Sequence, residues 1–471
     1  MGPQTRIGDI LATQEKGSTS IQLNNKLDNK AFYKSVFALV LPMALQNLIN
    51  VGVQSADVVM LGLVGEEVLS ASSLAGQVQF VMMLLFFGLA SGASVLTAQY
   101  WGKGDVRTIE KVMAITLRMS MVVAVLFALA AFFLPQQLMR IFTNEDIVIY
   151  EGVKYLRIVA VSYIFMGFTN LYLMIMRSLE KVMLATAVYL VALVMNVVLN
   201  AVFIFGMLGA PAMGIEGAAL ATTLARVAEL VIVAIYAARN QVVRLRLKDF
   251  LAKHTLLFRD FMRYGGPTIL NELFWGLGIA TNAVIIGHLG ASVVAANSVT
   301  SVTRQLAMVV SFGVANAAAI LIGKAIGGGD TPRAEAIGGK MMKLSAITGL
   351  CAAALILIIR PFVVMMMNLT PVAEDYLGYQ LLLMSAYVFL QTMTTTMVVG
   401  IFRGGGGTRF GLILDVGALW GFSILFGALA AFVFNWPVKV VLLIILLDEV
   451  VKVPICLWRY RSRRWLNNVT R

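Results

Sequence analysis

FGLASGASVLTAQYWGKGD (residues 87–105) and FGVANAAAILIGKAIGGGD (residues 312–330) are one passage written twice. Shifting the chain by 225 residues lays Pro42–Asp105 on Pro267–Asp330 without a gap, with 18 identities in 64 positions. Matches between apolar residues come cheaply in an apolar chain. Pro42 on Pro267, Gly62 on Gly287, Gly65 on Gly290 and the closing Gly-x-Gly-Asp do not, so the chain reads as a tandem duplication.

The duplicated unit is membrane-spanning. Of 471 residues, 59% are hydrophobic and 13% charged, and mean hydropathy is +0.86, which excludes a soluble enzyme. Apolar runs long enough to span a bilayer fall at roughly 34–61, 75–98, 112–134, 152–176, 183–206 and 217–238. A second set falls at roughly 262–287, 296–323, 341–366, 376–402, 409–433 and 437–458. Six spans per copy is an even number, so both copies enter the bilayer in the same orientation. The expected fold is an all-α polytopic membrane protein, with twelve transmembrane helices in two tandem six-helix bundles related by a pseudo-twofold axis along the membrane normal. The expected divisions are a cytoplasmic tail (1–33), an N-terminal lobe (34–238), a basic linker (239–261), a C-terminal lobe (262–458) and a basic tail (459–471). The stretch before Ala31 is polar throughout and lacks the apolar core of a signal peptide.

Net charge is +13, which raises the possibility of nucleic-acid binding, but the placement of the charge argues against it. With the N-terminus cytoplasmic, 28 of 37 Lys and Arg fall in the tails and inner loops, seven of them between Arg239 and Arg263. That is the positive-inside bias of a plasma-membrane protein facing lipid on its flanks. The linker around RLRLKDFLAKH is placed to meet anionic headgroups. Cys351 and Cys456 have no CxxC partner and His254 and His288 have no neighbour at ligand spacing, so neither metal site nor cofactor is expected. The run GGGG at 404–407 lacks the GK[ST] ending of a phosphate loop and reads as a flexible turn.

Two similar bundles facing each other can rock about a central site, so the duplication itself argues for transport. Ionisable groups at bilayer depth cost several kcal/mol and are the first site candidates. Glu272 stands about ten residues into the seventh span, about 15 Å deep at 1.5 Å per residue, and its repeat mate is Asn47. Asn271, Trp275 and Asn282 share its helix, and no cation stands at matching depth except Arg304. Burial favours an uncharged carboxyl, which suits uptake and release of a proton, while amide and hydroxyl oxygens around it suit Na+. Asp57 lies near the outer end of the first span. Gln46, Asn47 and Asn50 in that span, and Asn196 and Asn200 in the fifth, either line a cleft or bond helices together. Gln391, Thr392 and Thr395 in the tenth span either face the cleft or bond back to their own helix. Arg226 with Glu229, and Asp448 or Glu449 with Lys452, read as structural ion pairs, and Asp415 is expected to interact near the inner surface.

LPMALQNLINVGVQSADVVMLGLVG (41–65), the Gly102–Asp105 loop, NVVLNAVFIFGMLGAPAMGIEGAALAT (196–222) and FRGGGGT (402–408) together resemble the multidrug and toxic compound extrusion (MATE) transporters over nearly the whole chain. The resemblance implies a V-shaped twelve-helix antiporter that expels organic cations or amphipathic compounds in exchange for H+ or Na+ by alternating access. It makes Asp57 the match of a first-span aspartate used in the N-terminal lobe. Asn200 falls where some members carry a second aspartate. Glu272 resembles the seventh-span acid of the NorM branch, about one turn early, and that branch's tenth-span aspartate falls at Thr392. Cation coupling is therefore expected at Glu272 and Asp57, with Asn200 and Thr392 in the matching positions and any Na+ at Glu272. Gln46, Asn47, Asn50, Asn196, Asn271, Trp275, Asn282, Gln391 and Thr395 are the expected cleft residues. The protein is expected to act as a monomer on small organic molecules. The nearest alternatives are a flippase for a lipid-linked precursor, which would want more Lys or Arg in the cleft than Arg304, and a narrow metabolite exporter.

Overall fold

The computed structural model describes residues 4–367 and 369–470, and before residue 29 only the helical course of the chain. Among the described residues thirteen helices carry the fold, beside short helical pieces at Pro135–Phe142 and Leu247–Leu251. In the N-lobe these are α1 (Gln4–Gly62), α2 (Glu66–Lys103), α3 (Val106–Phe133), α4 (Asp146–Ser178), α5 (Val182–Phe205) and α6 (Ile215–Arg239). The C-lobe holds α7 (Thr255–His288), α8 (Ala291–Gly327), α9 (Thr331–Met366), α10 (Pro371–Phe402), α11 (Thr408–Val433), α12 (Val438–Ile445) and α13 (Asp448–Arg461). Eleven helices among the described residues are long and apolar enough to cross a membrane.

The twelfth span differs from the expected single run at 437–458. It breaks at Leu446 and Leu447 into α12 and α13, because Asp448 and Glu449 open the second piece and turn onto Lys452. The Ile445 carbonyl at the break accepts a hydrogen bond from the Ser423 hydroxyl, so the interruption leaves that backbone oxygen satisfied.

The Gly-x-Gly-Asp passages end α2 and α8 and start the next helices. Asp105 accepts the Thr108 N–H at 3.0 Å, and its repeat mate Asp330 accepts the Arg333 N–H at 3.0 Å. Each aspartate thereby caps a helix N-terminus. At the same loops the lobes touch. A Cβ on Gly102 would lie 1.9 Å from the Lys324 carbonyl oxygen, and one on Gly327 would lie 1.8 Å from the Gln99 carbonyl oxygen, so only glycine permits this approach.

The lobes meet along the half of the molecule that carries these basic loops, here the basic face. α1 and α2 pack on α7 and α8, with Thr268 donating to the Gly88 carbonyl at 2.9 Å and Gly313 lying against Val40. Toward the opposite face Val58, Val59, Leu277, Val284 and Val302 are exposed, as lipid-facing and cleft-facing walls are. The linker is folded against the N-lobe. Arg107 bridges Glu110 at 2.7 Å and Asp249 at 2.6 Å, and Arg246 reaches Glu110 at 3.2 Å.

Candidate functional site

In the N-lobe a polar ribbon crosses three helices. Asn200 Nδ2 on α5 donates to Asp57 on α1 at 2.6 Å and to Asn196 Oδ1 at 3.2 Å. Asn196 Nδ2 reaches the Thr222 hydroxyl on α6 at 3.4 Å. The i, i+4 spacing of Asn196 and Asn200 places both amides on one face of α5, which makes the ribbon possible. Asp57 is half-buried, whereas Asn200 is wholly buried and its Oδ1 has no partner. Deeper toward α6's basic end, Arg226 and Glu229 form a separate pair at 2.6 Å.

In the C-lobe Glu272 is buried and paired. Arg403 donates to it at 2.8 Å and to the Ser91 hydroxyl of α2 at 2.9 Å, so one guanidinium ties α7 to the opposite lobe. This corrects the expectation that only Arg304 stands at the depth of Glu272. Arg403 sits just past the end of α10, where π-helical turns at Thr396–Phe402 precede it, and sequence reading had placed it in a turn. One face of Glu272 is thereby committed to a guanidinium, where Na+ would have needed open oxygens. A chamber of about 40 Å³ lies in the seam beside the pair, lined by Ser91, Ser94, Asn316 and Arg403 among others.

Asn271 turns away from Glu272. Its Nδ2 donates to Asp415 at 3.1 Å, so the partly exposed Asp415 interacts with α7. Lys452 gathers three carboxylates: Glu449 at 2.8 Å, Asp448 at 3.1 Å and Asp415 at 3.6 Å. The Thr394 hydroxyl donates to Glu449. Holding three carboxylates on one buried ammonium costs more than its attractions return unless each oxygen is bonded.

The remaining residues singled out from sequence are distributed as follows. Gln46 donates to the Val182 carbonyl at 3.0 Å and to Thr186 at 2.8 Å, so it joins α1 to α5. Asn47 reaches the Val309 carbonyl of α8 at 3.4 Å, across the lobes, and Asn50 is exposed. Thr392 shares a hydrogen with Ser311 at 2.9 Å inside the packing of α8 on α10. Trp275, expected beside Glu272, packs on the apolar cluster around Leu419 and Val441. Gln391 is buried with Oε1 unpartnered, and Asn282 and Thr395 are half-buried. Sequence reading did not single out Ser91, and it saw Arg403 only as part of the FRGGGGT turn. The aligned charge of Arg403, six residues before Arg409, carried no signal that it turns inward.

Two tandem bundles of long apolar helices that meet at a basic face, with carboxylates and amides on those helices, define the fold of a polytopic membrane protein. The MatE family profile matches residues 42–202 and again 267–429, one match per lobe, and the chain belongs to that family of multidrug efflux transporters. The probable multidrug resistance protein YoeA of Bacillus subtilis is 22% identical over 424 residues, covering 88% of each chain. A probable multidrug resistance protein NorM of Agrobacterium fabrum is 26% identical over 63% of this chain and 64% of its own. Among solved structures, an outward-facing multidrug resistance MATE transporter of the MOP superfamily superposes with a TM-score of 0.83 at 22% identity, over 91% of this chain and 95% of that one. A MOP superfamily transporter from Pyrococcus furiosus, described as having a binding pocket of reverse polarity, also gives 0.83, at 21% identity and with 91% and 95% of the two chains covered.

Proposed function

We propose that the protein is a secondary active antiporter that exports organic cations or amphipathic compounds in exchange for a proton. It works as a monomer in the bacterial inner (plasma) membrane, with both termini cytoplasmic. The lobe closure at the basic face corresponds to an outward-facing state, with substrate leaving and the coupling ion entering from outside.

The observation that carries this reading is Asp57 with Asn200. The carboxylate is held at 2.6 Å by an amide whose own oxygen is buried without a donor. Ionised, Asp57 accepts from Asn200 Nδ2 and attracts a cationic substrate. Protonated, it can donate an O–H to the same amide once that amide turns over, so both states have a partner. Proton and substrate charge then compete for one carboxyl, and by linkage each weakens the other's binding. Glu272, already paired with Arg403, serves the lobe seam in this scheme.

The test is uptake of a fluorescent organic cation by proteoliposomes, with a pH gradient and a Na+ gradient imposed separately. A pH gradient should drive uptake in the wild type, and folded Asp57→Asn should lose it. Full activity in Asp57→Asn, or uptake driven by Na+ alone, would overturn the assignment.

A further inference from the structure

The four-glycine turn at 404–407 is the seat of residues 465–470, and that seat lies across the seam between the lobes. After α13 the chain turns back over the basic face. Trp465 is fully buried and stacks on Tyr460, with ring centroids 5.8 Å apart. The Asn467 N–H donates to the Gly405 carbonyl at 3.0 Å. A Cβ on Gly405 would stand 2.0 Å from the Trp465 carbonyl oxygen, and one on Gly406 would stand 2.7 Å from Val469 Cγ1. The glycines are thus what lets the tail lie flat on the turn.

The other half of the clasp belongs to the N-lobe. Gln99, on α2 and wholly buried, donates through Nε2 to the Gly404 carbonyl at 3.0 Å and to the Asn467 carbonyl at 3.1 Å. Its Oε1 accepts the Val469 N–H at 2.8 Å. The Val469 side chain joins the N-lobe's apolar cluster, while Asn468 donates to the Ile326 carbonyl of α8 at 3.3 Å. The tail therefore leaves the C-lobe, pairs with its glycine turn and reaches the N-lobe at Val469. Gln99 sits where α2 and α8 touch backbone to backbone, at Gly102 and Gly327. Parting the lobes there must break the bond from Gln99 to Gly404, and it must also pull the tail off either Gln99 or the glycine turn.

We propose that residues 465–470 are a latch that holds the basic face shut, with Gln99 as its catch, and that undocking of the tail is a step in opening to that side. The proposal rests on the alternating-access reading above. It assigns Gln99 a positioning role: it touches no substrate but sets how often the basic face opens.

The experiment uses the full-length protein in proteoliposomes with Ser94→Cys, which places a thiol in the seam chamber. Labelling by a membrane-impermeant maleimide is followed from the basic face, with the unsubstituted chain as the background for Cys351 and Cys456. Two latch variants are compared with the wild-type latch: a chain ended after Leu466, and Gln99→Leu, which keeps the tail. In both, labelling should speed up about thirtyfold, the population shift expected from losing about two net hydrogen bonds. If added substrate changes labelling but both variants label at the wild-type rate, the latch is wrong and the transport cycle stands. If neither substrate nor gradient changes labelling in any form, alternating access fails and the latch falls with it. A truncated chain that does not fold leaves Gln99→Leu to decide.

Discussion

Each lobe carries an acid where the other carries an amide. Asp57 in the N-lobe has Asn282 as its repeat mate, and Glu272 in the C-lobe has Asn47. The surroundings diverge with the acids. The N-lobe answers Asp57 with Asn200 and Asn196, keeps Arg226 and Glu229 as a pair of their own, and gathers most of its buried apolar residues into one large cluster, with a small second one around Leu61. The C-lobe answers Glu272 with Arg403, adds the four-charge cluster on Lys452, and its apolar residues divide among clusters around Val441 and Leu381 and a third around Met341 that it shares with α1 of the N-lobe. Among the described residues, π-helical turns occur only in the C-lobe, in α10 and α11. The duplicated frame tolerates an acid at either register, provided its partners are rebuilt around it. The two lobes should therefore fail differently when a charge is removed.

The largest effect is expected at Lys452. Lys452→Met leaves Asp415, Asp448 and Glu449 without their common cation, and stability should fall by about 3–5 kcal/mol, the cost of stripping a buried charge of its partner. Arg226→Met leaves Glu229 without its bonded partner and should sit at the lower end of that range. Thermal unfolding of the purified variants in detergent measures both. An unchanged melting temperature for Lys452→Met would break the contrast between a C-lobe built on charge and an N-lobe built on amides.

Glu272 and Arg403 come next. Glu272→Gln or Arg403→Gln alone leaves one buried charge unpaired and should cost about 3 kcal/mol. The double variant should recover much of that, a coupling of about 0.5–3 kcal/mol in a double-mutant cycle. Transport sharpens the point. Recovery of gradient-driven uptake in the double variant makes the pair a structural tie across the seam, as the bond to Ser91 implies. A stable double variant without uptake would move the coupling role from Asp57 to Glu272.

What could be read from the sequence was the frame. The repeat, the even span count and the charge bias across the bilayer follow from period, length and sign, and these do not depend on which side chains meet. The Asn196 and Asn200 pairing was also legible, because i, i+4 spacing decides which face two residues share. Partner choice was not. Arg403 looked like a loop charge because π-helical turns at the end of α10 shift its register, and such turns leave no periodicity signal. Asp415 meets Lys452 from another helix, at a separation that no local pattern encodes. Likewise the glycine run read as freedom, whereas the tail that fills it lies some sixty residues away. Side chains that cross between helices are set by tertiary packing, and a single sequence does not report it.

The smallest expected effect tests whether the frame was kept while the chemistry diverged. Asp105 and Asp330, repeat mates, cap α3 and α9 with the same 3.0 Å hydrogen bond, so Asp105→Ala and Asp330→Ala should each cost about 1 kcal/mol. Asp105 also accepts the Thr108 hydroxyl at 2.6 Å, which should make its loss slightly the larger. Partial desolvation raises the Asp105 pKa, but the Thr108 hydrogen bonds and the charges of Lys103 and Lys111 outweigh it and hold the carboxyl below the usual aspartate value. A depressed folded pKa adds stability that is fully present above the unfolded value, about 3.9, and is lost as pH falls through the folded one. The difference between wild type and Asp105→Ala should therefore stay constant from pH 7 to about pH 5 and shrink only in stronger acid. Unfolding measured across that range in detergent checks it. A gap between the two cap variants well above 1 kcal/mol would mean that the lobes had drifted apart in their frame as well as in their charges.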